Sequence, residues 1–528
     1  MINRVASLGL LAIIAMAMVL TSPTDGSFWW SDAPRHALDG VFLLDLIRDM
    51  PLSDPVAYAK NYYAQYPSLS ILFYPPLFPL SEVPAYAIFG INHFSAQLTI
   101  GLYWLALLWG CWRLALRVLP GAAALGAAML FSSLPELAFW GRQVMLEVPV
   151  YAWLVWAAVM YLRYLDSRDI RYLYALAAFC VLALYTKQTS AFLVLAFAVL
   201  LPWETGWRIW KERHLWIAIV LATVILLPLV ALTLKFGQVN VHATLGETGK
   251  ELSRLSLDNW LFYARKLPDQ VGWPVLGLAA AYAVGRFFRP NWRVPGPEER
   301  LLAVWFALGY IFFSLIGLKE SRHALLILLP IPILAVVAAY HLMPQRYRTA
   351  AILGLAAVSL TGTLFMDPVP SVKGYAQAAA YIASNAPRGS MVLFSGYRDG
   401  AFVFNMRSHS ERKDLGVLRS DKLLLKVKVK RELGIQEVGV KKDELARRLN
   451  EYGVSYVVNQ PNFWIDLQNM QMLQQLLHSS QFVKEKQITV KANYPHQDQV
   501  LEIYRNVQYV PSNNSRPKLE LLMIDQEI

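Results

Sequence analysis

Asp32, Arg35, His36 and Asp39 fall at spacings of i, i+3, i+4 and i+7 in the stretch WWSDAPRHALD, residues 29–39. Pro34 suits the first turn of a helix, and Ser31 or Asp32 beside it suits the N-cap. A helix running on from there carries all four polar side chains on one face. A carboxylate in such a set accepts a proton from a hydroxyl, an arginine grips an anion, and a histidine serves an anion or a metal. The plainer reading is a solvated loop helix whose tryptophans, Trp29 and Trp30, mark a membrane interface. This stretch by itself leaves both readings open.

Other polar residues interrupt apolar surroundings further along. Arg142 and Glu147 stand in GRQVMLEVP, and Lys187 and Gln188 in YTKQTS. Lys319, Glu320, Arg322 and His323 stand in LKESRHALL, and His242, Glu247 and Lys250 in the longer loop 237–270. Each has an ordinary alternative. Glu147 suits a helix N-terminus, where the dipole favours an anion. Lys187 suits a snorkelling anchor, Arg322 and His323 suit interface positions, and His242 suits a plain polar loop.

The elements that must position these residues are membrane spans. Soluble domains carry about 25% charged residues, whereas this chain of 528 residues is 16% charged and 56% hydrophobic. Apolar stretches of spanning length lie near 5–22, 97–117, 121–139, 146–164, 172–186, 189–203, 214–236, 271–287, 301–318, 323–342 and 348–366, about eleven in all. The first, within MINRVASLGLLAIIAMAMVL, lacks a small-x-small cleavage site and reads as an uncleaved span. The segment 71–90 is also apolar but contains Pro75, Pro76, Pro79, Pro84 and Glu82. With the N-terminus inside, eleven spans put Arg113 and Arg117, Arg163, Arg168 and Arg171, and Arg286, Arg289 and Arg293 on the inner side, as the positive-inside rule requires. A twelfth span at 71–90 reverses this. That segment is therefore expected to be a broken helix lying along or dipping into the outer surface. The first loop, Arg142, Glu147, Lys187, Arg322 and His323 then share the outer side. Charges of both signs at span ends mark function in membrane proteins.

Beyond residue 370 the hydropathy changes. GYAQAAAYIASNAP, DELARRLNEYG and MQMLQQLLHSS read as helices; SMVLFSG, VSYVVN and QVLEIYRNV read as strands. The alternation predicts a small α/β domain, 371–528, outside the membrane. It follows a helical membrane domain, 1–370, whose first outer loop, 23–96, carries juxtamembrane helices. The net charge of +12 reflects topology and an anionic membrane surface. The Lys-rich run 422–431 alternates as a strand with one solvated face, and no nucleic-acid partner is expected. Cys111 and Cys180 both lie in apolar segments, so neither a disulfide framework nor a cysteine metal site is indicated. LGETGKELS lacks P-loop spacing, and G-x-G-x-x-G, H-E-x-x-H and G-x-S-x-G are missing. No ATPase, soluble nucleotide-sugar enzyme, zincin or serine hydrolase is supported.

Taken in order, the phrases SDAPRHALDG, YPPLFPL with FGINHFSAQL, GRQVMLEVPVY, LYTKQTSAFLVL and ESRHALLILLPIPIL resemble the GT-C superfamily of membrane glycosyltransferases. The resemblance is to the branch holding protein O-mannosyltransferases, lipid A aminoarabinose transferases and Rgt-type sugar transferases, over residues 1–370. It implies a hexosyl- or pentosyltransferase of the cytoplasmic membrane, taking a sugar from a polyprenyl-phosphate donor to a glycan, lipid or protein acceptor outside. By the same resemblance Asp32 is the base and Glu147 orients the acceptor, the base or a metal. Lys187, Arg322 and Arg142 hold phosphate, with Arg35, His36, Asp39 and His323 as further substrate contacts. Tyr74 and the segment 71–90 shape the groove for the lipid tail. Two positions depart from the pattern: Ala33 follows Asp32 where an acid is usual, and Glu147 stands where Asp is frequent. A divalent metal is left open on this count, with Asp32, Glu147 and His36 as its ligand candidates. The competing classes are a transporter or flippase, which gathers charges near the midplane in repeated halves, and a polysaccharide polymerase or ligase.

Overall fold

The computed structural model describes residues 4–237, 252–427, 431, 434–496, 499–511, 520–521 and 526–527. His242, Glu247, Lys250 and the LGETGK phrase lie outside the described residues, as do positions 428–430 of the Lys-rich run. The chain divides into two compact units, Met1–Ser22 with Leu72–Phe78 and Gln97–Val369, and Pro23–Ile71 with Pro79–Ala96 and Pro370–Ile528.

In the first unit each of the eleven expected apolar stretches contains helix. Among the described residues five helices are long and apolar enough to cross a membrane: His93–Ala115, Glu147–Ser167, Gln188–Thr205, Arg213–Phe236 and Arg348–Phe365. The number is eight if three bent pairs each count as one crossing. The bends have chemical causes. Pro135 starts the second helix of the pair bent by 67°, Gly272 and Pro274 stand at the break of the pair bent by 118°, and Pro330 starts the second helix of the pair bent by 55°. Arg4–Leu20 and Ile170–Thr186 are shorter apolar helices, and Gly296–Leu315 carries Glu298 and Glu299 in its first turn. Small residues allow close packing: a Cβ on Gly126 would stand 2.5 Å from Ile352 Cγ2 on the Arg348–Phe365 helix. Hydroxyls tie the same pair, with Thr363 donating to the Ser133 carbonyl at 2.8 Å. In the segment 71–90, turns precede a Leu77–Phe89 helix of 13 residues with Pro84 inside it. At 1.5 Å per residue it is about 20 Å long, short of the roughly 30 Å of a hydrocarbon core.

The second unit is α/β. Its five-stranded sheet runs Gly416–Arg419, Met391–Ser395, Val454–Asn459, Val500–Asn506, Phe482–Thr489. The first three strands are parallel and the last two join antiparallel. Alternation along Met391–Ser395 feeds both faces. Phe394 stacks on Phe402 at 4.6 Å and meets Tyr375. Leu393 joins a core with Leu445, Leu449, Met470, Leu473 and Leu476 from the helices Lys442–Glu451 and Gln468–Leu477. The helix Asp399–Ser408 and the strand Phe482–Thr489 complete the unit. Among the described residues of the Lys-rich run Leu425–Val427 is strand, paired antiparallel with Ile435–Glu437.

The linear boundary at residue 370 does not describe this unit, because it incorporates the first loop. The helix Ala33–Asp49 packs on Asp399–Ser408, and Pro55–Gln65 packs on Gly416–Arg419. Buried ion pairs fix the first contact, and Gln65 donating to the Lys413 and Leu415 carbonyls holds the second. Asp45 takes Arg407 at 3.0 and 2.7 Å, with side chains 3% and 1% exposed, together with Lys413 and the Tyr62 hydroxyl. Asp399 takes Arg35 at 3.1 Å, Arg419 at 2.6 Å and the Ser68 hydroxyl at 2.7 Å. Burial opposes ionisation of Asp399, but the guanidiniums of Arg419 and Arg35 hold its carboxyl well below the usual range. Breaking a buried pair strands a charge and costs about 3–5 kcal/mol, whereas replacing both partners by apolar groups is often near neutral. Arg407→Met is expected to lower the thermal midpoint of the purified protein sharply, and D45L/R407M to recover part of the loss. Equal midpoints for R407M and the unsubstituted protein would remove this role.

Candidate active site

Helix lengths bring one set of charges together inside the first unit. Glu147–Ser167 and Ile170–Thr186 form an antiparallel hairpin, turned by Arg168 in the left-handed region at φ 56° and capped by Asp169, which accepts from the Arg171 amide. At 1.5 Å per residue the two helices measure roughly 31 and 26 Å. The N-terminal end of the first therefore meets the C-terminal end of the second. Glu147 opens the first, and Lys187 follows the second in extended backbone before the short turn Gln188–Ser190. Lys187 Nζ stands 2.9 Å from Glu147 Oε1, with side chains 16% and 2% exposed. The other oxygen, Glu147 Oε2, is buried with no hydrogen bond. Arg322 lies within electrostatic range of Glu147. It is held by Glu320 at 2.6 Å and by the Trp140 ring, 5.2 Å from its guanidinium carbon. His323 is 3.8 Å from the same Glu320 and in electrostatic reach of Lys187. The structure thus gathers Glu147, Lys187, Arg322 and His323. Trp140 is an addition that sequence reading did not single out.

Arg142 is occupied differently. It is fully buried and donates to the carbonyls of Ala138 at 3.1 Å, Leu364 at 3.3 Å and Asp367 at 2.7 Å. Its guanidinium clamps the C-terminal ends of two helices, where orphan carbonyls favour a cation. Tyr74 lies half-buried in the turn before the Leu77–Phe89 helix.

The second unit holds the WWSDAPRHALD residues. Asp32 is the N-cap of the Ala33–Asp49 helix, but its side chain makes no cap bond. Its carbonyl accepts from the amides of Arg35 and His36, while its carboxylate accepts from Trp30 Nε1 at 3.1 Å. The four polar residues do not form one solvated surface. Arg35 is paired with Asp399, and His36 and Asp39 are buried. Asp39 accepts from the amide and the hydroxyl of Ser70, both at 2.7 Å, so it ties the helix to the chain returning at residue 70.

Beside Asp32 opens a cavity of about 250 Å³, lined by Trp29, Trp30, Tyr397 and Arg398 among others. Trp29 meets Trp30 at 5.2 Å and Tyr494 at 5.7 Å. Arg398 donates to the Tyr494 hydroxyl at 2.7 Å and to the Trp29 carbonyl. Sequence reading missed Tyr397 and Arg398. The available signal was their position just after the buried strand SMVLFS, at the carboxyl end where α/β sheets place ligands.

The chain is similar to known proteins in sequence and in fold. Residues 74–231 match the family described as dolichyl-phosphate-mannose-protein mannosyltransferase. ArnT from Cupriavidus metallidurans, in a crystal structure bound to undecaprenyl phosphate, superposes with a TM-score of 0.62 at 14% identity, covering 97% of this chain and 100% of that one. The Archaeoglobus fulgidus oligosaccharyltransferase in its apo form gives 0.52 at 14% identity, covering 87% and 69%. The archaeal oligosaccharyltransferase AglB from the same organism, in complex with an inhibitory peptide and a dolichol-phosphate, gives 0.51 at 14% identity, covering 86% and 69%. No curated protein sequence matches the chain. The fold is like that of ArnT and of the Archaeoglobus oligosaccharyltransferase, and the chain carries several helices long and apolar enough to cross a membrane.

An Archaeoglobus oligosaccharyltransferase structure in this comparison carries Zn and sulfate. Among the described residues no three His, Cys, Asp or Glu side chains come together to hold a metal, and Glu147 has Lys187 and Arg322 as neighbours where a cation site would place further acids. That donor set does not fit a divalent ion.

Burial pushes the Asp39 carboxyl up to about 7, although the two Ser70 bonds and Arg35 favour its ionised form. Folded protein therefore keeps a proton that the unfolded chain releases between about pH 4 and pH 7. The resulting stabilisation is complete below pH 4 and is lost as the pH rises to 7. Relative to Asp39→Asn, the wild-type thermal midpoint should fall across that interval and run parallel outside it. Parallel midpoints throughout would show that Asp39 does not titrate there.

Proposed function

We propose that the chain is a glycosyltransferase that moves a hexosyl or pentosyl group from a polyprenyl-phosphate donor to a glycan, lipid or protein acceptor on the outer face of the cytoplasmic membrane. The observation that carries this reading is the buried Glu147–Lys187–Arg322 set inside a GT-C helical unit. One carboxylate with two cations, mostly withdrawn from water, is an anion-binding arrangement with its resting counter-ion built in. When a donor phosphate enters, Lys187 and Arg322 turn from Glu147 and Glu320 to the phosphate oxygens, Arg through its planar fork.

The transfer needs one base. Asp32 stands at a helix N-terminus, which favours its ionised form, beside an aromatic cavity with room for a sugar ring. It takes the proton of the acceptor hydroxyl as the acceptor oxygen bonds to the anomeric carbon. The bond from that carbon to the phosphate oxygen breaks, and its electron pair leaves with the polyprenyl phosphate. Lys187 and Arg322 offset the charge that develops on the leaving group. Glu147 holds Lys187 in place and receives it again when the phosphate departs.

A positioned base contributes roughly 10²–10⁴-fold to rate. Asp32→Asn, in membranes supplied with labelled polyprenyl-phosphate sugar, is expected to lose transfer by that factor while its donor KM stays near wild type. Lys187→Met is expected to raise donor KM as well as lower kcat. Wild-type transfer by D32N would remove Asp32 as the base.

A further inference from the structure

A second cavity in the helical unit, of about 360 Å³, lies between the C-terminal ends of the helices His93–Ala115 and Glu147–Ser167. Arg113, Arg117, Arg163 and Asp166 line it with an apolar wall that includes Leu116 and Val159. The charges are unequally matched. Arg117 takes Asp166 through two bonds, at 2.6 and 2.8 Å, and Glu298 at 2.6 Å. Arg113 has no ion pair among the described residues, and Arg163 meets only the Tyr172 ring, 5.8 Å from its guanidinium carbon. Two guanidiniums thus share one cavity with both nearby carboxylates committed to a third.

Cations in an apolar setting require a partner, and the planar guanidinium fork matches the oxygens of a phosphate bidentately. The cavity offers far more room than a lone phosphate ion fills, and its Leu and Val wall suits the start of acyl chains. Both lining helices end here, on the side that the charge distribution of the chain assigns to the cytoplasm, whose leaflet is anionic. We propose that this cavity binds an anionic glycerophospholipid, its phosphate held by Arg113 and Arg163, with Arg117 locked to Asp166 and Glu298 as the floor. This site is independent of the transfer reaction and stands at the opposite end of the Glu147–Ser167 helix from Glu147 and its partner Lys187.

Native mass spectrometry of the full chain in detergent, with equal phosphatidylglycerol and phosphatidylcholine, tests the assignment. The wild type should retain phosphatidylglycerol in preference, and R113Q/R163Q should lose that preference by tenfold or more with unchanged helicity by circular dichroism. R113K/R163K, which keeps the charge, guards against a folding defect by retaining at least part of the preference. R346Q/R348Q, altering a different basic connection, should behave as wild type. A preference surviving in R113Q/R163Q would overturn the site. Complete displacement of phosphatidylglycerol by inorganic phosphate would make free phosphate the ligand and overturn the lipid assignment.

Discussion

The α/β unit depends on carboxylates buried against guanidiniums. Asp399 lies between Arg35 and Arg419, and Asp45 lies on Arg407. In each case one partner comes from the first loop and the other from the C-terminal third, more than 360 positions away. Charges so buried are tolerated only when every member is paired and hydrogen-bonded. The loop therefore has one place to sit. Further ties reinforce it: Gly26 at φ 80° accepts from Asn405, Phe28 stacks on the His93 ring at 3.8 Å, and Gln65 donates to the Lys413 and Leu415 carbonyls. Asp32 and the two tryptophans stand at the start of this anchored loop, so their geometry depends on the ion pairs that hold it.

The helical unit reaches the same end by arithmetic. Two neighbouring helices of similar length, joined by a two-residue turn, return Lys187 to the level of Glu147. Arg322 arrives from a short 3₁₀ turn whose own acid, Glu320, holds it. Both cations have an internal counter-ion, which makes the unit stable without ligand. Arg142 shows the contrasting case of an arginine wholly spent on backbone carbonyls. A buried arginine in an outer loop is as readily a clamp for helix ends as a grip for substrate.

Much of this was legible in the chain. Each apolar stretch marked by hydropathy in the first unit contains helix, and the strands at 390–396, 454–459 and Val500–Asn506 were legible, but the helix Leu257–Val271 falls in what reads as the loop 237–270, because Asp258, Arg265, Lys266 and Asp269 keep its hydropathy low. The pairing of Glu147 with Lys187 follows from their similar distances to the turn at Arg168 and Asp169. The one-face reading of Asp32, Arg35, His36 and Asp39 fared differently. Spacing reports which residues share a side of a helix, not what covers that side. Here Asp399–Ser408 and the chain at Ser70 cover it, and contacts between residues 35 and 399 leave no periodic trace. The strand Phe482–Thr489 was hidden because its FVKEKQIT sequence is largely exposed at a sheet edge. For the same reason the unit boundary was not visible at residue 370: composition marks where spans stop, whereas the unit is defined by buried ion pairs between distant segments.

The central claim is that holding the lipid phosphate and activating the acceptor are separate tasks, with Lys187 and Arg322 performing the first and Asp32 the second. The most direct measurement is equilibrium binding of undecaprenyl phosphate to the purified full chain, which involves no transfer. D32N should bind as wild type, and K187M/R322M should bind about a hundredfold more weakly, the scale of removing buried charge partners. Wild-type affinity in K187M/R322M would contradict the account.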